Sequence, residues 1–213
     1  LAGTDDAVRF ARRVALPMSV VGAASLLVLL EHDFGTAALI GGVGSLLVLA
    51  SGAPLWPVAL AGVGGVGGLA YLVYHSPRRL ERVLAFLDPW KYKEGAGYQA
   101  LHSLISLGSG GLFGQGLGAS RQKLFYLPEP DTDFILAILG QELGLIGTLT
   151  VIILFALFVR QGMLISERAP DRFGSLLAFG ITVLIGLQAL MHIAVVSASM
   201  PTKGIALPFV SSG

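Results

Sequence analysis

The sequence predicts an all-α, polytopic integral membrane protein: a bundle of helices with one long extracytoplasmic loop. Three observations predict it. Hydrophobic residues make up 54% of the 213 and charged residues only 13%, against about 25% charged in an ordinary soluble domain. Mean hydropathy is +0.77, and the apolar residues fall into five runs, 14–30, 37–50, 55–74, 134–159 and 173–196. The charge is gathered rather than spread. Of 14 Lys and Arg, seven lie between His75 and Asp133, as do six of the 13 acids.

The first run, Val14 to Leu30, reaches the lower length limit for crossing about 30 Å of hydrocarbon. Arg9, Arg12 and Arg13 precede it, and basic residues at the entry to a span mark the cytoplasmic side. A polar break, Glu31 to Thr36, then faces outward. The second run, 37–50, is short and is separated from the third by Ser51-Gly52-Ala53-Pro54. The third, 55–74, carries Gly62, Gly64, Gly65, Gly67 and Gly68. The Gly64/Gly68 pair has the spacing that lets helices approach closely in lipid, and generic packing is its expected use.

The segment from His75 to Asp133 is then external by alternation. It opens on a helix near Pro77–Leu87, with Leu80, Val83, Leu84 and Leu87 on one face and arginines on the other, the pattern of a helix lying in the interface. A second short helix is expected over Tyr98–Leu107. A Gly-rich stretch follows, with glycines at 108, 110, 111, 114, 116 and 118. Neither a dinucleotide fingerprint nor a Walker loop fits it, since no strand precedes it and no GK[ST] follows. Its backbone N–H groups could still approach an anion. Runs 134–159 and 173–196 close the pattern, separated by Arg160, Arg168 and Arg172 on the cytoplasmic side. Lys203 falls outside.

A net charge of +1 argues against a nucleic-acid partner. With no Cys, disulfides and thiolate metal sites are excluded. The seven basic residues in an external loop run against the positive-inside bias, from which long loops are largely exempt. They suit either anionic headgroups or an anionic, membrane-borne substrate.

Asp133 stands where the polar loop meets an apolar run. A carboxylate at the edge of a span is partly desolvated, which makes it a better base near neutral pH. The alternative is helix capping, with Thr132 or Asp131 as the cap and Asp133 favouring the positive end. Glu129 and Asp131 crowd it with like charge. Glu142 lies about two turns deeper, where an ionisable group is costly and usually functional. Gln188 and His192 on the last run raise the same question, and such lone polar residues more often satisfy helix–helix hydrogen bonds.

The run Gly114-Gln115-Gly116-Leu117-Gly118-Ala119-Ser120-Arg121-Gln122-Lys123, with Phe125-Tyr126-Leu127-Pro128-Glu129 and Thr132-Asp133-Phe134-Ile135, resembles the SEDS family (shape, elongation, division and sporulation), which contains RodA and FtsW. Asp33-Phe34-Gly35-Thr36-Ala37, Gly144-Leu145-Ile146-Gly147, Pro201-Thr202-Lys203-Gly204 and Leu207-Pro208-Phe209-Val210-Ser211 carry the same resemblance. The Ser-Arg-Gln-Lys and Pro-Thr-Lys-Gly forms are nearer the division branch, FtsW. The family has about ten transmembrane helices; this chain matches its fifth to ninth and is expected to be part of a longer protein. It departs from the family at Asp131, where His is usual, at Gln141, where Glu is usual, and at Ser212, where Tyr is usual.

The resemblance implies a peptidoglycan glycosyltransferase of the bacterial plasma membrane that polymerises lipid II, with Asp133 as general base. Arg121, Lys123 and Lys203, with Glu129 beside the base, are the implied substrate-binding residues. A divalent cation could share the pyrophosphate, although no ligand cluster appears in the sequence and no metal site is assigned. Lipid II, glycan linked to undecaprenyl pyrophosphate, and a class B penicillin-binding protein are the implied partners. Two alternatives stand beside it: a lipid II flippase using Glu142, Gln188 and His192, and a non-catalytic scaffold of the division machinery.

Overall fold

A computed structural model of the chain describes residues 10–95, 97–118 and 133–211, with Arg78 described by its backbone alone. Every regular element among these residues is a helix. They are α1 (Ala11–Leu30, opening with a π-helical stretch at Ala11–Ala15), α2 (Phe34–Ala50), α3 (Leu55–Tyr74), α4 (Pro77–Leu87), α5 (Tyr98–Gly110), α6 (Ile135–Arg168) and α7 (Arg172–Val196). Four of them, α1, α3, α6 and α7, are long and apolar enough to cross a membrane, and α2 is a shorter apolar helix.

The predicted runs and these helices coincide closely, and the differences have local causes. α2 starts three residues before the expected Ala37 because the Asp33 side chain accepts a hydrogen bond from the Thr36 N–H at 3.0 Å. That capping bond satisfies one of the orphan donors of the first turn. α6 runs nine residues past the expected Val159. Gln161, Glu167 and Arg168 are polar but good helix formers, and the helix stops just before Pro170. α5 likewise runs to Gly110 rather than Leu107.

The chain divides into two compact units. One comprises Leu1–Tyr71 and Arg160–Leu184. Close helix approach within it uses small residues: a Cβ on Gly44 would collide with Val21, and one on Gly162 would collide with Thr182. Packing of this kind replaces the hydrophobic effect in lipid. The glycines of α3 behave differently from the expectation. Gly62, Gly64, Gly65, Gly67 and Gly68 have no described atom within 4 Å of an added Cβ, because residues 61–68 of α3 are exposed all round.

The second unit comprises Leu72–Val159 and Ile185–Gly213. Its core is Phe134, Leu136 and Ala137 of the α6 entrance against Ala189, Val195 and Val196 of α7 and Leu207 beyond it. Ser103 of α5 is fully buried and donates to the Val196 carbonyl at 2.7 Å, satisfying an acceptor at the C-terminal end of α7 that has no partner within its own helix. α4 has the expected bounds, Pro77–Leu87; its Leu84 and Leu87 are left uncovered while Ala85 is buried.

The Gly-rich stretch enters this unit in a way the sequence did not announce. α6 is broken at Gly144, which has φ 70° and ψ −164°. Residues 145 and 146 therefore do not donate to the carbonyls four residues back. Leu145 N–H donates to Gly111 and Ile146 N–H to Leu112. The abandoned carbonyls of Gln141 and Glu142 accept from Gln115 and Gly116 instead, at 2.9 and 3.1 Å. Two helical bonds are replaced by four to the inserted loop, so the break costs no unsatisfied backbone group, which a lipid environment would penalise by several kcal/mol. Gly144 supplies the left-handed conformation. Gly114 and Gly144 also lack side chains because the two backbones touch there. The N–H groups of Gly114, Gln115 and Gly116 are thus spent on carbonyls. This corrects the anion-approach reading for those three groups.

Candidate active site

Phe134 is 1% exposed and its carbonyl accepts from Ala137 and Ile138, opening the ladder of α6. Burial of that ring anchors the helix entrance and leaves Asp133 half-buried at its mouth. A carboxylate in that setting is neither fully hydrated nor lost in the core, which suits a group that must both accept a proton and reach a ligand.

Opposite it runs a segment without regular secondary structure, Pro201–Leu207, that follows the end of α7. Gly204 lies against the Asp133 carboxylate so closely that an added Cβ would come 2.8 Å from Oδ2 and 3.3 Å from Oδ1. Lys203, half-buried, is its neighbour in the chain. The structure therefore brings Asp133 and the Lys203–Gly204 peptide together across 70 residues of sequence.

A segment outside any helix has backbone carbonyls that no helical ladder satisfies, and α7 supplies partners for two of them from one face. Gln188 Nε2 donates to the Ala206 carbonyl at 3.1 Å. One turn on, His192 Nδ1 lies 2.7 Å from the Ile205 carbonyl. A carbonyl only accepts, so the proton sits on Nδ1. The Ser211 hydroxyl accepts from the Leu207 N–H at 2.8 Å. His192 is 1% exposed. Its Nε2 is buried without a hydrogen-bond partner among the described residues.

Glu142 is not part of this cluster. Seven residues, about 10 Å of helical rise, separate it from Ile135, and its carbonyl is engaged by Gly116. Arg121, Lys123, Glu129 and Asp131 lie outside the described residues. No three His, Asp or Glu side chains converge as a metal site among the described residues. Sequence reasoning passed over Gly204 as a contact of the carboxylate, and over the paired Gly110/Gly114 and Gly140/Gly144. Their spacing of four on two segments was the available signal for close backbone approach.

The profile of the FtsW/RodA/SpoVE family, described as a cell cycle protein family, matches residues 3–213. The chain belongs to this family. Among its relatives, the probable peptidoglycan glycosyltransferase FtsW of Geobacter sp. (strain M18) is 44% identical over 196 residues, covering 92% of this chain and 53% of the relative. The FtsW of Coxiella burnetii is 46% identical over 200 residues, covering 92% and 54%. The stage V sporulation protein E of Bacillus subtilis is 41% identical over 204 residues, covering 96% and 56%. A solved chain from a peptidoglycan synthase complex that coordinates polymerization and crosslinking superimposes with a TM-score of 0.70 at 25% identity, covering 96% of this chain and 56% of that one. The chain spans about half the length of the curated relatives it matches, and within the family it stands nearer to FtsW.

Proposed function

We propose that this chain forms the catalytic part of a peptidoglycan glycosyltransferase that polymerises lipid II, with Asp133 as general base. The observation that carries the reading is the half-buried Asp133 carboxylate at the mouth of α6, seated against Gly204 beside Lys203. A sugar hydroxyl is a poor nucleophile until a positioned carboxylate takes its proton. The 4-hydroxyl of the acceptor sugar attacks the anomeric carbon of the donor. Its proton passes to Asp133, the bond from that carbon to the pyrophosphate oxygen breaks, and polyprenyl pyrophosphate leaves. The charge that develops on the leaving group calls for cations, and Lys203, Arg121 and Lys123 fill that role, Arg with the bidentate fork that phosphate favours.

The site then faces the extracytoplasmic side of the bacterial plasma membrane, where a class B penicillin-binding protein crosslinks the product. That partner agrees with the synthase complex that the fold resembles. A flippase would need the intramembrane polar groups for cargo, yet Gln188 and His192 are bonded to backbone carbonyls. The test is lipid II polymerisation by the full-length protein with its transpeptidase, wild type against Asp133→Asn. Glycan product is expected to fall by about 10²–10⁴-fold, with folding and lipid II binding intact. Undiminished product overturns the assignment.

A further inference from the structure

A side chain on Gly204 would collide with the carboxylate, and what fixes Gly204 is not a helix. It belongs to a segment without regular secondary structure whose next two carbonyls, on Ile205 and Ala206, are held by His192 and Gln188 one turn apart on α7. The His192 bond is the shorter of the two, at 2.7 Å, and is almost wholly excluded from solvent. It is attached to the residue next to Gly204. Water cannot replace a donor there, so losing the imidazole would leave the Ile205 carbonyl unsatisfied and free the peptide to move. The Gly204 backbone lies so near that an added Cβ would come within 3.3 Å of both Asp133 oxygens, so a shift of that backbone would change the surroundings of the carboxylate. A displacement near 1 Å at a reacting group costs about 10²-fold in rate.

We infer that His192 is a positioning residue for the transfer reaction: its Nδ1–H holds the Ile205 carbonyl, and so seats Gly204 under the Asp133 carboxylate at the angle the base requires. The inference rests on the reading of Asp133 as base. It assigns no proton transfer to Nε2, which serves only as the uncommitted side of a ring anchored at Nδ1.

The test compares His192→Asn, His192→Leu and Gly204→Ala in the full-length protein with its transpeptidase, reading kcat and KM for lipid II polymerisation across pH. An Asn amide can place a donor near the Nδ1 position but has no Nε2 and does not titrate. His192→Asn is expected to keep kcat within about threefold, with the wild-type pH profile. His192→Leu is expected to lose about 10²-fold in kcat with KM little changed, and Gly204→Ala to show the same split. Equal loss in the Asn and Leu variants overturns the inference, because the titrating ring would then matter. Wild-type rates in His192→Leu or Gly204→Ala overturn it too. Should His192→Leu fail to accumulate, the Asn and Gly204→Ala results decide alone. An active Asp133→Asn enzyme removes the underlying reading instead, which separates the two failures.

Discussion

At the scale of single residues, Lys203 is set apart by its position. It is half-buried, and the next residue packs on the proposed base. An ammonium in a partly dehydrated site acts on developing phosphate charge far more strongly than one in bulk water. Lys203→Met is therefore expected to lower kcat by about 10²–10³-fold. Lys203→Arg, which keeps the charge, should retain more activity than Met. Thermal melting in detergent should be unchanged in both. Initial-rate measurements on purified variants check this, and a Met variant within twofold of wild type would remove Lys203 from the site. Asp133 was legible because a carboxylate at a loop–span junction is conspicuous in an apolar chain. Gln188 and His192 were visible only as polar residues in need of a partner. Their partners are main-chain carbonyls 18 and 13 residues further on, and backbone acceptors carry no sequence signal. For Gly204 the difficulty was similar, since nothing in its own neighbourhood points to Asp133.

Among the elements, α6 departs furthest from what periodicity shows. An unbroken apolar run predicts an unbroken helix, and hydropathy cannot register one residue at φ 70°. The inserted loop accounts for Gly110 and Gly114, where backbone atoms of α6 leave no room for a side chain, and positive φ accounts for Gly111, Gly116 and Gly118. Gly144→Ala places a Cβ against Gly114 and Leu112 backbone and adds about 1–3 kcal/mol for an Ala at φ 70° and ψ −164°, a region essentially restricted to glycine. It is expected to lower the melting temperature and to open the 111–116 stretch to protease. Gly62→Ala on α3, where no described atom lies within 4 Å, should do neither. Equal melting curves for wild type and Gly144→Ala would show that the break does not hold the loop. Helix ends were readable in part: Pro77 opens α4 as expected, whereas the Asp33 cap moves the start of α2 and α6 runs on past Val159 to Arg168.

For the whole molecule, the remaining question is which way the chain faces. Four span-capable helices and membership of the FtsW/RodA/SpoVE family make it an integral membrane protein, but helix length carries no direction. Direction comes from charge. Arg12 and Arg13 sit at the start of α1, and Arg160, Arg168 and Arg172 surround the turn between α6 and α7. Short loops carrying such residues stay cytoplasmic. On the topology proposed from these charges, the Glu31–Asp33 turn and the Ser197–Lys203 stretch are each expected to face outward, on the side where an undecaprenyl-linked donor would meet Asp133. The chain contains no Cys, so a single introduced thiol reports its own location within it. Cysteines replacing the exposed Glu31 and Ser199 are expected to react with a membrane-impermeant maleimide added to spheroplasts. One replacing the exposed Glu167 should react only after the membrane is opened. Inverted labelling would put Asp133 on the cytoplasmic face, away from the growing wall, and would leave the acceptor glycan out of its reach.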